Sequence, residues 1–213
     1  MTNEEQLEKV EKVQKRVKRY SSILLAIILL GAIAILTMIA GPTSRLVYGS
    51  AKPQEPKTKL EAFERQIGTV IIKGFSDVGL VSGLGTVKVK CMELNNVSTG
   101  VRQLGIVIDV KESGRLETED RSFIDYDEIE PLLKGINYVS KVTSNSTKLS
   151  NFEAIYETKG DFSIVTFSSS SGKVEAAVKS GYIGAATAYI SMAKLTELRD
   201  AIAKAKQVLD QIK

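Results

Sequence analysis

Residues 23–40 form a run of 18 residues without a charged side chain, and this run constrains the fold more than any other feature. Eleven of the 18 are Leu or Ile. As a helix the run is about 27 Å long, close to the ~30 Å hydrocarbon thickness of a bilayer. Gly41 and Pro42 follow and end a helix there. The sequence therefore predicts one N-terminal transmembrane helix over residues 21–41.

A cleaved secretory signal is the main alternative for this run. Signal peptides carry a shorter apolar region and a short charged leader, whereas here 20 residues precede Ser21. Cleavage near Ala51 would release a secreted soluble domain. A buried helix of a soluble protein is a third interpretation, but such helices are usually shorter and carry polar residues at helical spacing.

Residues 1–20 are predicted to form a basic amphipathic helix in the cytoplasm. Acidic residues come first and basic residues later, an order that suits the helix dipole. More basic residues precede the apolar run than closely follow it, which places the N-terminus inside and the C-terminal domain outside the cytoplasm. The basic cluster is expected to contact the anionic headgroups of the lipid bilayer. Its members are Lys12, Lys15, Arg16, Lys18 and Arg19.

The composition excludes several kinds of catalytic and metal site. The chain contains no histidine and a single cysteine, Cys91. Catalytic triads and metal sites that use histidine are thereby excluded, and so is an intramolecular disulfide. The formal net charge of +4 is too small to indicate a nucleic-acid partner. No sequence motif indicates a cofactor, and the sequence leaves open whether the chain is an enzyme.

Beyond the apolar run the sequence divides into a tether and a globular domain. Residues 42–62 hold three of the four prolines and are predicted to be the tether. Residues 63–213 carry short strand patterns separated by turn residues, with a helix in the middle and another at the end. The predicted fold class is α+β, mostly antiparallel β, as a barrel or a sheet with a middle helix and a C-terminal packing helix. A ββββα pseudo-repeat that divides near residues 143–150 is one form of it.

The last helix carries an apolar stripe with alternating steps of three and four residues. Such a stripe usually packs on the sheet of its own domain, and pairing with a second copy of the chain is the alternative. The stripe consists of Leu195, Leu198, Ile202, Leu209 and Ile212.

Residues 117–130 form the densest acidic stretch of the chain. The segment is expected to be a polar loop that leads into the N-terminus of a helix, with Asp127 and Glu130 as a capping box. The alternatives are a cation site formed by Asp125, Asp127 and Glu128, or a carboxylate-dependent hydrolase. Together these features predict a single-pass membrane protein whose extracytoplasmic β-rich domain binds or scaffolds another protein or itself.

Overall fold

The described part of the chain contains two four-stranded antiparallel sheets. The computed structural model describes residues 55–114, 117–182 and 184–213. In each sheet the strands follow one another in chain order, and a helix follows the last strand. The elements are α1 (Lys59–Glu64), β1 (Ile71–Gly83), β2 (Gly85–Asn96), β3 (Arg102–Lys111), β4 (Glu119–Asp125), α2 (Ile129–Val139), β5 (Glu153–Glu157), β6 (Phe162–Ser168), β7 (Val174–Ser180), β8 (Ala186–Ile190) and α3 (Met192–Ile212). The first sheet is β1 to β4 and the second is β5 to β8.

The prediction of an α+β fold with antiparallel strands and a C-terminal helix is confirmed, but the alternative of a closed barrel is wrong. A barrel requires its first and last strands to pair. In the described sheets the outermost strands, β1 and β4 or β5 and β8, do not pair with each other. The apolar faces are covered instead by the other sheet and by the two long helices.

Buried and half-buried residues alternate along β2, as its sequence predicts. Val87, Val89 and Cys91 are buried, and Lys88 and Lys90 between them are half-buried. Successive side chains of a strand point to opposite faces, so apolar residues at every second position direct one face of the sheet towards a core. We call this core-facing side the inner face of a sheet and the opposite side its outer face.

Each long helix packs on the sheet of the other half of the domain. Helix α3, which follows the second sheet, packs mainly on β1, β2 and β3 and also contacts β7, and helix α2, which follows the first sheet, packs on β5 and β6. The two helices also contact each other. One apolar core therefore contains buried residues from both sheets and both helices. Because each half supplies the helix that covers the other's sheet, the two halves depend on each other for the burial that stabilises them.

Helix α1 closes a smaller core on the outer face of the first sheet. Its Leu60 and Phe63 are buried against strand side chains. A capping box starts the helix: the Thr58 hydroxyl accepts the amide N–H of Glu61, and the Glu61 carboxylate accepts that of Thr58. Helix α1 thus occupies the end of the segment predicted to be a tether. The strand residues of this core are Met92, Leu94, Val107 and Phe123.

The acidic segment contains a strand that its sequence does not reveal. β4 occupies Glu119–Asp125 and pairs along its length with β3. The capping box expected at Asp127 and Glu130 is wrong, because α2 begins at Ile129 after a 3₁₀ turn and no side chain caps it. Only Phe123 and Ile124 among many polar residues mark the strand, too few to establish a period of two.

The predicted cytoplasmic helix at 1–20, the predicted transmembrane helix at 21–41 and the first part of the tether lie outside the described residues. So does the basic cluster. Among the residues that are described, no helix combines the length and the hydropathy that crossing a bilayer requires. These features of the N-terminal region stay predictions.

Candidate binding surface

Asp125 holds helix α1 onto the domain. Its carboxylate accepts the amide N–H of Lys59 at 2.9 Å and that of Leu60 at 3.0 Å, and the side chain is buried. The first amides of a helix have no partner within the helix, so a carboxylate placed there satisfies them. Both oxygens of Asp125 are used in this way, and the role that they support is structural.

Asp127 and Glu128 also bond within the chain. Asp127 accepts a hydrogen bond from the Lys59 ammonium at 2.7 Å, and this bond is the main reason that the pKa of its carboxyl lies below the ordinary value. One oxygen of Glu128 accepts the amide N–H of Lys159 at 2.9 Å. Within the described ranges no group of three or more acidic or cysteine side chains is placed to hold a metal ion. The structure does not assemble Asp125, Asp127 and Glu128 into such a group.

A charged row crosses the outer face of the first sheet beside α1. Asp109 on β3 receives the Arg121 guanidinium at 2.6 Å and the Lys90 ammonium at 2.5 Å, one on each oxygen. Burial alone would raise the pKa of Asp109, but the hydrogen bonds from Arg121 and Lys90 outweigh burial and hold the pKa below its ordinary value. The three side chains join neighbouring strands, and both oxygens of this carboxylate are already occupied.

The stripe of α3 is buried within the domain except at its end. Its first four members are fully buried, whereas Ile212 is 41% exposed. Helix α3 lies on the first sheet, where Gly79 of β1 allows close approach to Ala201. The buried part of the stripe is therefore committed to the domain's own core. Its members are Leu195, Leu198, Ile202 and Leu209.

The outer face of the second sheet carries an apolar row across all four strands. Register places Ile155 opposite Val165, Val165 opposite Ala177, and Ala177 opposite Tyr189. The two middle residues are buried although they lie on the face that points away from the core. Ile155 and Tyr189 at the two ends are exposed, Tyr189 by 48%.

Tyr189 of this row forms an aromatic pair with Phe167. Their ring centroids are 6.3 Å apart and the rings meet edge to face, with an interplanar angle of 82°. Leu84 extends the pair at one edge, since its backbone exchanges two 2.9 Å hydrogen bonds with Tyr189 and its side chain is exposed. We call this surface the aromatic face. It consists of Leu84, Ile155, Phe167 and Tyr189 together with the covered Val165 and Ala177.

Acidic side chains flank the aromatic face. Glu153 and Glu175 stand on either side of Phe167 in the register of β5, β6 and β7, and both are exposed. Glu157 adds a third carboxylate on β5, and Lys179 on β7 is the basic residue of the same face. A shallow cavity of about 400 Å³ opens beside Phe167 and is lined in part by Glu153. The surface thus combines exposed apolar area with negative charge close to its centre.

None of the residues of the aromatic face is identified by the sequence as a candidate. The available signal is that each strand of the second sheet has an apolar residue out of phase with the residues that face the core, such as Val165 beside Ile164 on β6. Comparison of the chain with protein-family models, with curated proteins and with solved structures finds no match.

Proposed function

We propose that this chain is a single-pass membrane protein whose C-terminal domain binds a protein partner outside the cytoplasm through the aromatic face. The partner segment that this surface fits carries apolar side chains next to Lys or Arg. The observation that carries the proposal is the aromatic pair of half-buried Phe167 and exposed Tyr189, with the carboxylates of Glu153 and Glu175 on either side of Phe167.

The apolar part of the surface supports binding of a protein. Aromatic side chains each bury about 150–250 Å² when covered, and they dominate the energy of many interfaces. Phe167 and Tyr189 are held by a sheet and by each other, so ordering them on binding costs little entropy. Val165 and Ala177, their neighbours on the same face, are already buried from solvent.

The charge of the surface selects the chemistry of the partner. An apolar segment with acidic neighbours would place like charges next to Glu153 and Glu175, which is unfavourable. A Lys or Arg beside the apolar side chains pairs with these carboxylates, and it also reaches the faces of the aromatic rings for a cation–π contact. We therefore favour a basic, apolar protein segment over an acidic or neutral one.

The membrane part of the proposal is supported by the sequence of residues 21–41 and by the basic cluster before them. In this arrangement the bilayer is a second partner, and the tether lets the domain reach a ligand near the membrane surface. Protease shaving of intact cells tests the topology: the C-terminal domain should be digested while residues 1–20 survive. A mature N-terminus at Lys52 would favour the secreted alternative.

The alternative of a carboxylate-dependent hydrolase gains no support from Asp125 and Glu128, which bond to backbone amides.

Binding is tested with the full-length protein in lipid nanodiscs and two labelled peptides, one of alternating Lys and Leu and one of alternating Glu and Leu. Fluorescence anisotropy should detect binding of the Lys–Leu peptide and little of the other. Phe167→Ala with Tyr189→Ala should weaken binding by about tenfold or more. Tyr138→Ala is the matched control, because Tyr138, like Tyr189, is an exposed aromatic residue but lies on α2. Equal binding of both peptides, or no effect of the double substitution, would overturn the proposal.

A further inference from the structure

Strand β1 presents a long open edge. It has 13 residues, and among the described strands it pairs with β2 alone, at the border of the first sheet. Three large apolar side chains on it are exposed: Ile72, Phe75 and Leu80, with Phe75 exposed by 71%. An edge strand offers a row of unpaired backbone donors and acceptors, and a long apolar edge favours pairing with another strand.

Only the first part of this edge is regular. Residues 71–77 pair one for one with β2, and the register then shifts between Asp77 and Gly79. A bulge of this kind bends a strand and locally disrupts its pairing, so a partner strand would have to change register there. A strand added to the edge is therefore expected to pair within residues 71–77, and Phe75 lies near the middle of that stretch.

The charges of β1 are self-complementary in one register. Lys73 and Asp77 are its two charged residues, and they lie on the same face as Phe75 because they are two positions away on either side. If two copies pair antiparallel with Phe75 opposite itself, each Lys73 stands opposite Asp77 of the second copy. A two-fold centred on Gly74 places Lys73 opposite Phe75, and one centred on Ser76 places it opposite Gly79.

We infer that two copies of this chain associate by antiparallel pairing of β1 about a two-fold axis at Phe75, which joins their first sheets into one sheet of eight strands. Within one copy, Lys73 already pairs with Glu64, and Asp77 pairs with Lys88 at 3.2 Å. In the dimer, Glu64 and Lys73 of one copy are followed by Asp77 and Lys88 of the second copy, so negative and positive charges alternate across the contact between the two β1 strands. The exposed Phe75 ring is covered by its counterpart.

Cross-linking of the full-length protein tests the register. Opposite Cα atoms of an antiparallel pair are about 4.5–5.5 Å apart, within the range for a disulfide. Phe75→Cys should therefore form a disulfide-linked dimer under mild oxidation, whereas the native Cys91 is buried. Leu80→Cys is the matched control, because this register places the two copies of residue 80 roughly 33 Å apart along the strands. Absence of the dimer in Phe75→Cys, or equal cross-linking of Leu80→Cys, would overturn the inference.

A charge exchange tests the same contact without a cysteine. Lys73→Glu and Asp77→Lys each place like charges opposite each other twice, so each should raise the dimer Kd by about tenfold or more in sedimentation experiments. The double variant K73E/D77K restores opposite charges and should recover the dimer. Thermal unfolding checks that the variants fold, and if one does not, the cross-link decides alone. Single variants that dimerise normally would contradict the pairing, as would a folded double variant that stays monomeric.

Discussion

Gly79 of β1 lies so close to Ala201 of α3 that a Cβ at Gly79 would stand 2.6 Å from the Ala201 Cβ. Two small residues thus allow the helix of the second half to approach the sheet of the first. This contact joins α3 to the first sheet, which α3 covers. Substitutions at the two residues therefore test the packing between the two halves of the domain.

Gly79→Ala should lower the free energy of unfolding by about 1–3 kcal/mol, because the added methyl group overpacks the interface. Ala201→Gly alone should cost about 1 kcal/mol in helix propensity. The double variant should be more stable than the sum of the two effects predicts, since it restores the space between helix and strand. Urea unfolding of the four proteins measures this coupling, and strict additivity would contradict the contact.

Asp125→Ala should destabilise the docking of α1. Loss of the carboxylate leaves the amides of Lys59 and Leu60 without their partner, at a cost of about 1–3 kcal/mol. Hydrogen exchange should show that the Leu60 amide has lost protection. Asp127→Asn is the control, because its ion pair with Lys59 is exposed and such pairs contribute less than about 1 kcal/mol. Equal effects of the two substitutions would contradict a special role for Asp125.

Asp109 should make stability depend on pH below about 4. Its pKa is lower in the folded chain than the ordinary value of about 3.9, so its contribution is present above that value and is lost as the pH falls through the folded pKa. Since Arg121 is half-exposed, we expect Asp109→Asn to cost about 1–3 kcal/mol near neutral pH. The difference between the two proteins in chemical denaturation should shrink in acid. A difference that stays constant down to about pH 2 would contradict this assignment.

The stripe of α3 should divide into a buried part and an exposed end. Ile202→Ala leaves a cavity in the shared core and should cost about 2–5 kcal/mol. Ile212→Ala should cost less than about 1 kcal/mol, because Ile212 is partly exposed. Thermal or urea unfolding measures both. Similar costs for the two substitutions would show that the end of the helix is as tightly packed as its centre.

Periodicity in the sequence predicts the elements better than it predicts their partners. The alternation of Val87, Val89 and Cys91 predicts a half-buried strand, and the spacing of Leu195, Leu198 and Ile202 predicts a helix with one apolar face. Both predictions agree with the structure. The sequence could not predict that α2 packs on the second sheet and α3 on the first. An apolar face indicates that another element covers it, but it does not indicate which element.

The aromatic face escapes prediction for a related reason. On β6 both Ile164 and Val165 are apolar and buried, yet one faces the core and the other faces away from it. A strand that is apolar on both faces gives no sign of which side packs inside. The acidic segment misleads in the opposite way, since the carboxylate of Asp125 suggests a ligand site but bonds to the backbone of α1.

Photo-cross-linking in the producing cells tests the proposed binding surface most directly. A benzoylphenylalanine at Phe167 keeps an aromatic side chain at the centre of the aromatic face, and the same residue at Tyr138 serves as the control. Position 167 should cross-link a protein segment with Lys or Arg next to apolar residues, and position 138 should not. Cross-linked segments that are acidic, or equal adducts at both positions, would contradict the proposal.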